Sequence, residues 1–193
     1  VSAFVLAPPA VRAEPASAKK ATAVFAGGCY WGVESVFRHV KGVSSAVSGF
    51  AVPVDMPPAL AAAGPNYVEA VRVEYDPTQV TYAQLLEIFF LVAHDPTDVD
   101  RQGPDVGPEY RSVIFIGDTA QRRVVQAYID QLAASKTFAK PIVTQLAELR
   151  RFREADPDQQ DYATKNQGSP YVIINDAPKL EALKRKYAAL YRE

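Results

Sequence analysis

A single cysteine, Cys29, decides most about how this chain can be held together. One thiol forms no intramolecular disulfide and builds no multi-cysteine zinc or iron–sulfur site. The fold must therefore rest on a hydrophobic core. At 193 residues, 48% of them hydrophobic, the chain is long enough for one. A domain of this size buries roughly 70% of the surface its unfolded chain exposes. Charge offers no shortcut to a partner: 21 Lys and Arg face 22 Asp and Glu. Bulk electrostatics thus recruits neither nucleic acid nor an acidic membrane surface.

Residues 1–20 differ from the rest. Positions 1–10 are apolar and uncharged, and Val11-Arg12-Ala13 ends on small residues before Glu14-Pro15. This pattern resembles the end of a secretory signal peptide, with Val11 and Ala13 at the −3 and −1 cleavage positions. The expected location is then periplasmic or secreted. The alternative is a disordered Pro/Ala-rich arm on a cytoplasmic protein. No other stretch approaches the roughly 18 apolar residues of a membrane span, so no membrane partner is expected.

From residue 21 onward the pattern reads as one domain of interleaved strands and helices. Residues 22–26 form an apolar strand candidate, stopped by Gly27-Gly28. Val33, Val36, Phe37 and Val40 then fall at helical spacing. Residues 43–50 read as a strand and 51–65, with four prolines, as a loop. The clearest strand is 67–75, closed by Asp76-Pro77. Thr81 and Gln84 form a capping-box pattern ahead of Leu85, Ile88, Phe89 and Val92. The polar, Pro- and Gly-containing stretch 94–110 reads as a long ordered loop, a frequent place for function. A short strand over 112–116 precedes Asp118, which caps a helix carrying Val124, Val125, Tyr128, Ile129 and Leu132. Another strand is expected over 142–146. A closing amphipathic helix carries Leu180, Leu183, Tyr187, Leu190 and Tyr191. Without strict βαβ regularity, this order predicts an α+β fold.

The chemistry starts at Cys29. Following two glycines and opening a helical pattern, its sulfur sits at a helix N-terminus. There the free N–H groups and macrodipole favour a thiolate, so a lowered pKa is expected. Tyr30 and Trp31, the only tryptophan, can form an apolar cup beside it or simply pack the helix start. In the 67–75 strand, Glu69 shares a face with Tyr67, Val71, Val73 and Tyr75. A carboxyl turned toward the core has its pKa raised by desolvation and can serve as a general acid near neutral pH. His39 and His94 are expected to order helix ends. A Cys29–His94 thiol hydrolase is a weaker alternative. Two isolated histidines make no metal site, and no cofactor is expected.

The run Gly28-Cys29-Tyr30-Trp31-Gly32-Val33-Glu34, with Phe37 and Gly42-Val43, resembles the signature of type A peptide methionine sulfoxide reductases. The similarity continues through Val73-Glu74-Tyr75-Asp76-Pro77, His94-Asp95-Pro96-Thr97, and Arg101-Gln102-Gly103-Pro104-Asp105-Val106-Gly107 to Tyr110-Arg111-Ser112. Asp161-Tyr162 and the stretch 171–178 resemble one branch of the family. The resemblance implies a two-layer α/β sandwich of ferredoxin-like type with a long ordered loop and a C-terminal extension. It implies that Cys29 attacks the sulfoxide sulfur of methionine S-sulfoxide, and that Glu69 protonates the oxygen with help from Tyr110. It also implies that Tyr30 and Trp31 hold the S-methyl group and that Asp105 binds the substrate's backbone amine. Partners would be methionine sulfoxide, free or in proteins, and a thiol.

Departures from the family pattern are local. Val52-Pro53 replaces a Gly-Gly pair, and Pro65-Asn66-Tyr67-Val68-Glu69 replaces a Thr-Gly-His-Ala-Glu run. A second family tyrosine has no direct counterpart, a place Tyr67 can fill. Gln159 stands where the family has histidine. Residues 171–193 contain no resolving cysteine, so a Cys29 sulfenic acid would need an external thiol, thioredoxin-like, glutaredoxin-like or small. A monomer is expected. The alternative from another class is a non-catalytic binder of oxidised or methionine-rich peptides.

Overall fold

In the computed structural model, residues 20–55 and 65–193 are described. The leader reading of residues 1–20 lies outside them apart from Lys20, as does most of the expected 51–65 loop. Strand β1 (Ala21–Ala26) leads through the Gly27-Gly28 turn into α1 (Tyr30–Arg38). Then come β2 (Val43–Pro53), β3 (Val68–Tyr75) and α2 (Tyr82–Ile88), which winds on as a π-helical turn over Phe89–Ala93. The long loop folds as a two-residue hairpin, β4 (Arg101–Gln102) with β5 (Asp105–Val106), and a 3-10 turn, Pro108–Tyr110. Strand β6 (Val113–Phe115), α3 (Thr119–Ala134), β7 (Gln145–Ala147) and β8 (Leu149–Glu154) follow. The C-terminal part is α4 (Tyr162–Lys165), a π-helical segment Val172–Asp176, and α5 (Ala177–Lys186).

The sheet runs β7-β6-β1-β3-β2-β8. Its inner four strands, β6-β1-β3-β2, pair antiparallel throughout. With α1 and α2 as the crossovers, they form the βαββαβ unit of a ferredoxin-like fold. The main core lies between this sheet and the helices: Phe25, Val71, Val73 and Ile114 meet Val33, Phe37, Leu85 and Phe89. Phe25 stacks between Phe37 (5.1 Å) and Phe89 (4.9 Å). A smaller cluster on the opposite face holds Val24, Ala26, Ala51, Val68, Ala70, Val113 and Phe115. Burial on both faces explains why Val68 and Ala70 break the polar alternation of β3.

Local expectations hold where a side chain closes its own element. The Thr81–Gln84 capping box forms at α2, and the Asp118 carboxylate accepts from the Gln121 N–H at α3 (2.7 Å). Other bounds shift. Tyr67 lies just before β3 rather than in it, and β2 runs on to Pro53. The latter happens because β8, unanticipated, pairs with β2 from Gly49 to Pro53. The 142–146 strand forms at Gln145–Ala147 instead, parallel to β6. The closing helix stops at Lys186. Beyond it the chain turns back, and Lys41 and Arg192 donate backbone hydrogen bonds to Leu190 and His39. His39 accordingly orders the end of α1, its Nδ1 donating to the Ser35 carbonyl at 2.7 Å. No helix among the described residues is long and apolar enough to cross a membrane.

Candidate active site

Cys29 occupies the N-cap of α1 and is 8% exposed. The turn that delivers it requires glycine at Gly28, whose φ is +86 and whose missing Cβ leaves room for the Gln102 side chain. Gln102 in turn clamps Asp95, accepting from its N–H (2.9 Å) and donating to its carbonyl (2.6 Å). The long loop is thereby packed under the cysteine.

Glu69 reaches the same point from β3, accepting from the Tyr30 N–H at 3.1 Å. Burial pushes its carboxyl up to about 7, opposed by that N–H and reinforced by the charges of Asp105 and Glu109. The direction of that shift agrees with the expected rise, and near pH 7 the carboxyl is about half protonated. The expectation for Cys29 is corrected. The Trp31 N–H and the Tyr171 hydroxyl do favour the thiolate, but burial and the Glu69 charge outweigh them, and the thiol is pushed up to about 12. Protonating Glu69 removes the larger of the charges that hold the thiol protonated, so the two titrations influence each other.

Tyr110, at the end of the 3-10 turn, lies within electrostatic reach of Glu69, Asp105 and Cys29, and burial raises its phenol to about 12. Asp105 accepts a hydrogen bond from the Tyr171 hydroxyl at 2.5 Å. Tyr30 and Trp31 stand side by side with ring centroids 6.4 Å apart. An aromatic row continues from Tyr30 to Phe50 (5.7 Å) and from Phe50 to Tyr67 (4.9 Å), so Tyr67 forms its outer end. Phe50 joins the row because it pairs with Glu69 across β2 and β3 and so shares its face.

The sequence named some of the next residues but gave no contact for any of them. Tyr162 stacks on Trp31 at 3.7 Å, Tyr171 meets its edge at 5.5 Å, and Gln159 accepts from the indole N–H at 3.2 Å. Asp176 is 2% exposed, with neither carboxylate oxygen hydrogen-bonded and the Lys179 ammonium 4.0 Å away. It lies against Gly32, where a Cβ would come within 2.4 Å of its Oδ1. The motif matches at Asp161-Tyr162 and at 171–178 were the available signal, but spacing alone could not place them beside Trp31.

His94 is not part of the site. Its Nδ1 donates to the Phe89 carbonyl (2.9 Å), its Nε2 accepts from the Ser112 hydroxyl (2.7 Å), and burial lowers its pKa to about 4. Both ring nitrogens are bonded to Phe89 and Ser112 rather than to Cys29, so the Cys29–His94 pair of the thiol-hydrolase alternative is not formed. Among the described residues, no group of three or more His, Cys, Asp or Glu could hold a metal.

The family model described as "Peptide methionine sulfoxide reductase" matches residues 21–191. The chain belongs to the peptide methionine sulfoxide reductase family. Peptide methionine sulfoxide reductase MsrA 2 of Mesorhizobium japonicum is 45% identical over 183 residues, covering 93% of this chain and 94% of that protein. The MsrA 2 of Synechocystis sp. is 42% identical over 169 residues, covering 86% and 79%. Among solved structures, methionine sulfoxide reductase A of Corynebacterium diphtheriae superposes with a TM-score of 0.61 at 33% identity, covering 79% of this chain and 77% of that one. Saccharomyces cerevisiae Mxr1 in reduced form shares the fold, with a TM-score of 0.65 at 24% identity, covering 83% and 92%. The cysteine-bearing turn and the loop ending at Tyr110 both fall within the span that matches the family.

Proposed function

We propose that this reductase converts the S epimer of methionine sulfoxide, free or in proteins, to methionine through a Cys29 sulfenic acid that an external thiol resolves. The observation that carries the reading is Glu69 beside Cys29 at the start of α1, with its carboxyl near 7. Sulfoxide oxygen leaves poorly unless protonated, and a positioned general acid contributes roughly 10²–10⁴-fold. As Cys29 attacks the substrate sulfur, Glu69 gives its proton to the oxygen, which ends on Cys29 as S–OH while methionine departs. Two electrons pass from the cysteine sulfur to the substrate sulfur. An outside thiol then attacks the sulfenic sulfur and water leaves. A second thiol releases Cys29 and carries the disulfide away.

The remaining roles in the proposal are those the family resemblance implies. Tyr110 supplies a second donor to the oxygen, Tyr30 and Trp31 form the methyl cup, Asp105 takes the substrate's backbone amine, and Tyr67 closes the outer wall. Residues 21–193 work as one catalytic domain and as a monomer. Residues 1–20 carry an export leader for a periplasmic or secreted enzyme, cleaved after Ala13, so N-terminal sequencing of exported protein should start at Glu14.

The assay is reduction of each methionine sulfoxide epimer with dithiothreitol by wild type and Cys29→Ser. Turnover of the S epimer that vanishes in the variant is expected. Binding without turnover by the wild type would instead make the protein a peptide binder.

A further inference from the structure

Glu34 is almost fully buried near the site, 1% exposed, and the reaction above does not use it. Its oxygens accept from the Asp161 backbone N–H at 2.9 and 3.1 Å, and Oε2 also accepts from the Ser48 hydroxyl on β2 at 2.7 Å. Asp161 has φ +56, a left-handed conformation that Asp tolerates better than most residues with a Cβ but still at a cost. Arg38, one turn along α1 from Glu34, pairs with the Asp161 carboxylate at 3.1 Å. Gln160 adds three hydrogen bonds, from the Ser48 N–H and to the Ser48 and Ala155 carbonyls, each at 2.9 Å. A strained turn is thus tied to α1 and β2 by a buried carboxylate.

That turn carries the residues that hold Trp31. Gln159 and Tyr162 flank Asp161, one taking the indole N–H and the other lying parallel to the ring at 11°. Trp31 and Glu34 are three residues apart on α1, so one short segment can engage both from the same side. We propose that Glu34 is a positioning residue for substrate recognition. It fixes the turn at Asp161, which presses Tyr162 and Gln159 against Trp31 and leaves the other indole face as the wall for the substrate's methyl group. The inference rests on the methionine sulfoxide reading for its substrate, though not for its geometry.

Trp31 is the only tryptophan, so its emission reports the cup directly. For Glu34→Ala we expect red-shifted emission and about twofold stronger acrylamide quenching. Losing a held aromatic wall should raise KM about threefold to tenfold with kcat within about twofold of wild type. Glu34→Gln should restore both readouts, because its amide still accepts from the Asp161 N–H and donates to Ser48. Unchanged Trp31 emission and KM in Glu34→Ala would overturn the proposal. If Glu34→Ala does not fold, Asp161→Ala removes the Arg38 ion pair and adds strain at the same turn without a core cavity. It should shift emission in the same direction by less, and no shift there would also overturn it. Emission is read without sulfoxide, so it tests the latch even if the wild type reduces nothing. Failure of S-epimer turnover would count against the reductase reading alone.

Discussion

The two sides of the site are built differently. One side belongs to the sheet-and-helix framework: Cys29 at the head of α1 and Glu69 on β3, fixed by backbone geometry and joined through the Tyr30 N–H. The other side comes from the chain after β8: Gln159, Tyr162, Tyr171 and Asp176, placed by side-chain contacts on Trp31, Asp105 and Gly32. In the proposed reaction, the framework side supplies the groups that move protons and electrons. The C-terminal side holds the groups that shape the space around them. Damage to the first should therefore appear in kcat and damage to the second in KM.

The largest effect should come from Cys29→Ser, which leaves no sulfur to accept the oxygen. No S-epimer reduction should be detectable with dithiothreitol. Glu69→Ala should follow, losing about 10²–10⁴-fold in kcat, while Glu69→Gln loses less because an amide still donates a hydrogen bond. Equal rates for the two variants would end the general-acid role. On the C-terminal side, Tyr162→Ala should raise KM about threefold to tenfold with kcat almost unchanged. A fall in kcat with constant KM would erase the distinction between the two sides.

How far each side was legible follows the same division. Strand periodicity put Glu69 on the core face, and two glycines before a helical stripe put Cys29 at a helix start, because both signals are local. The direction of the Cys29 pKa was not legible. The helix end does favour the thiolate, but burial and Glu69 depend on how the whole site closes. Strand β8 was missed because Leu149-Arg150-Arg151-Phe152-Arg153-Glu154 is dominated by charge, as suits a sheet edge that must not pair further. Tyr162 and Tyr171 could be matched to a motif, but sequence separation of more than a hundred residues gives no distance to Trp31.

A smaller effect concerns stability. Glu69 has a folded pKa of about 7 against 4.5 when unperturbed. Its contribution is complete below the unfolded value and is lost as pH rises through about 7. Glu69→Gln has no proton to lose and keeps the acceptor for the Tyr30 N–H. In denaturant titrations it should exceed wild type by about 3 kcal/mol at pH 8 and match it below about pH 4. Equal stability at pH 8 would mean that Glu69 is not desolvated as described.

The central claim is that Glu69 holds the proton when Cys29 attacks, and single-turnover rates against pH, with no thiol present, test it most directly. The productive form has Glu69 protonated and Cys29 ionised. Below pH about 7 its population rises as the thiol ionises, and above that point loss of the Glu69 proton offsets further ionisation. The wild-type rate should therefore climb and then level near pH 7, while the slower Glu69→Gln rate keeps climbing through it. A break near pH 7 in both proteins, or in neither, would contradict the account.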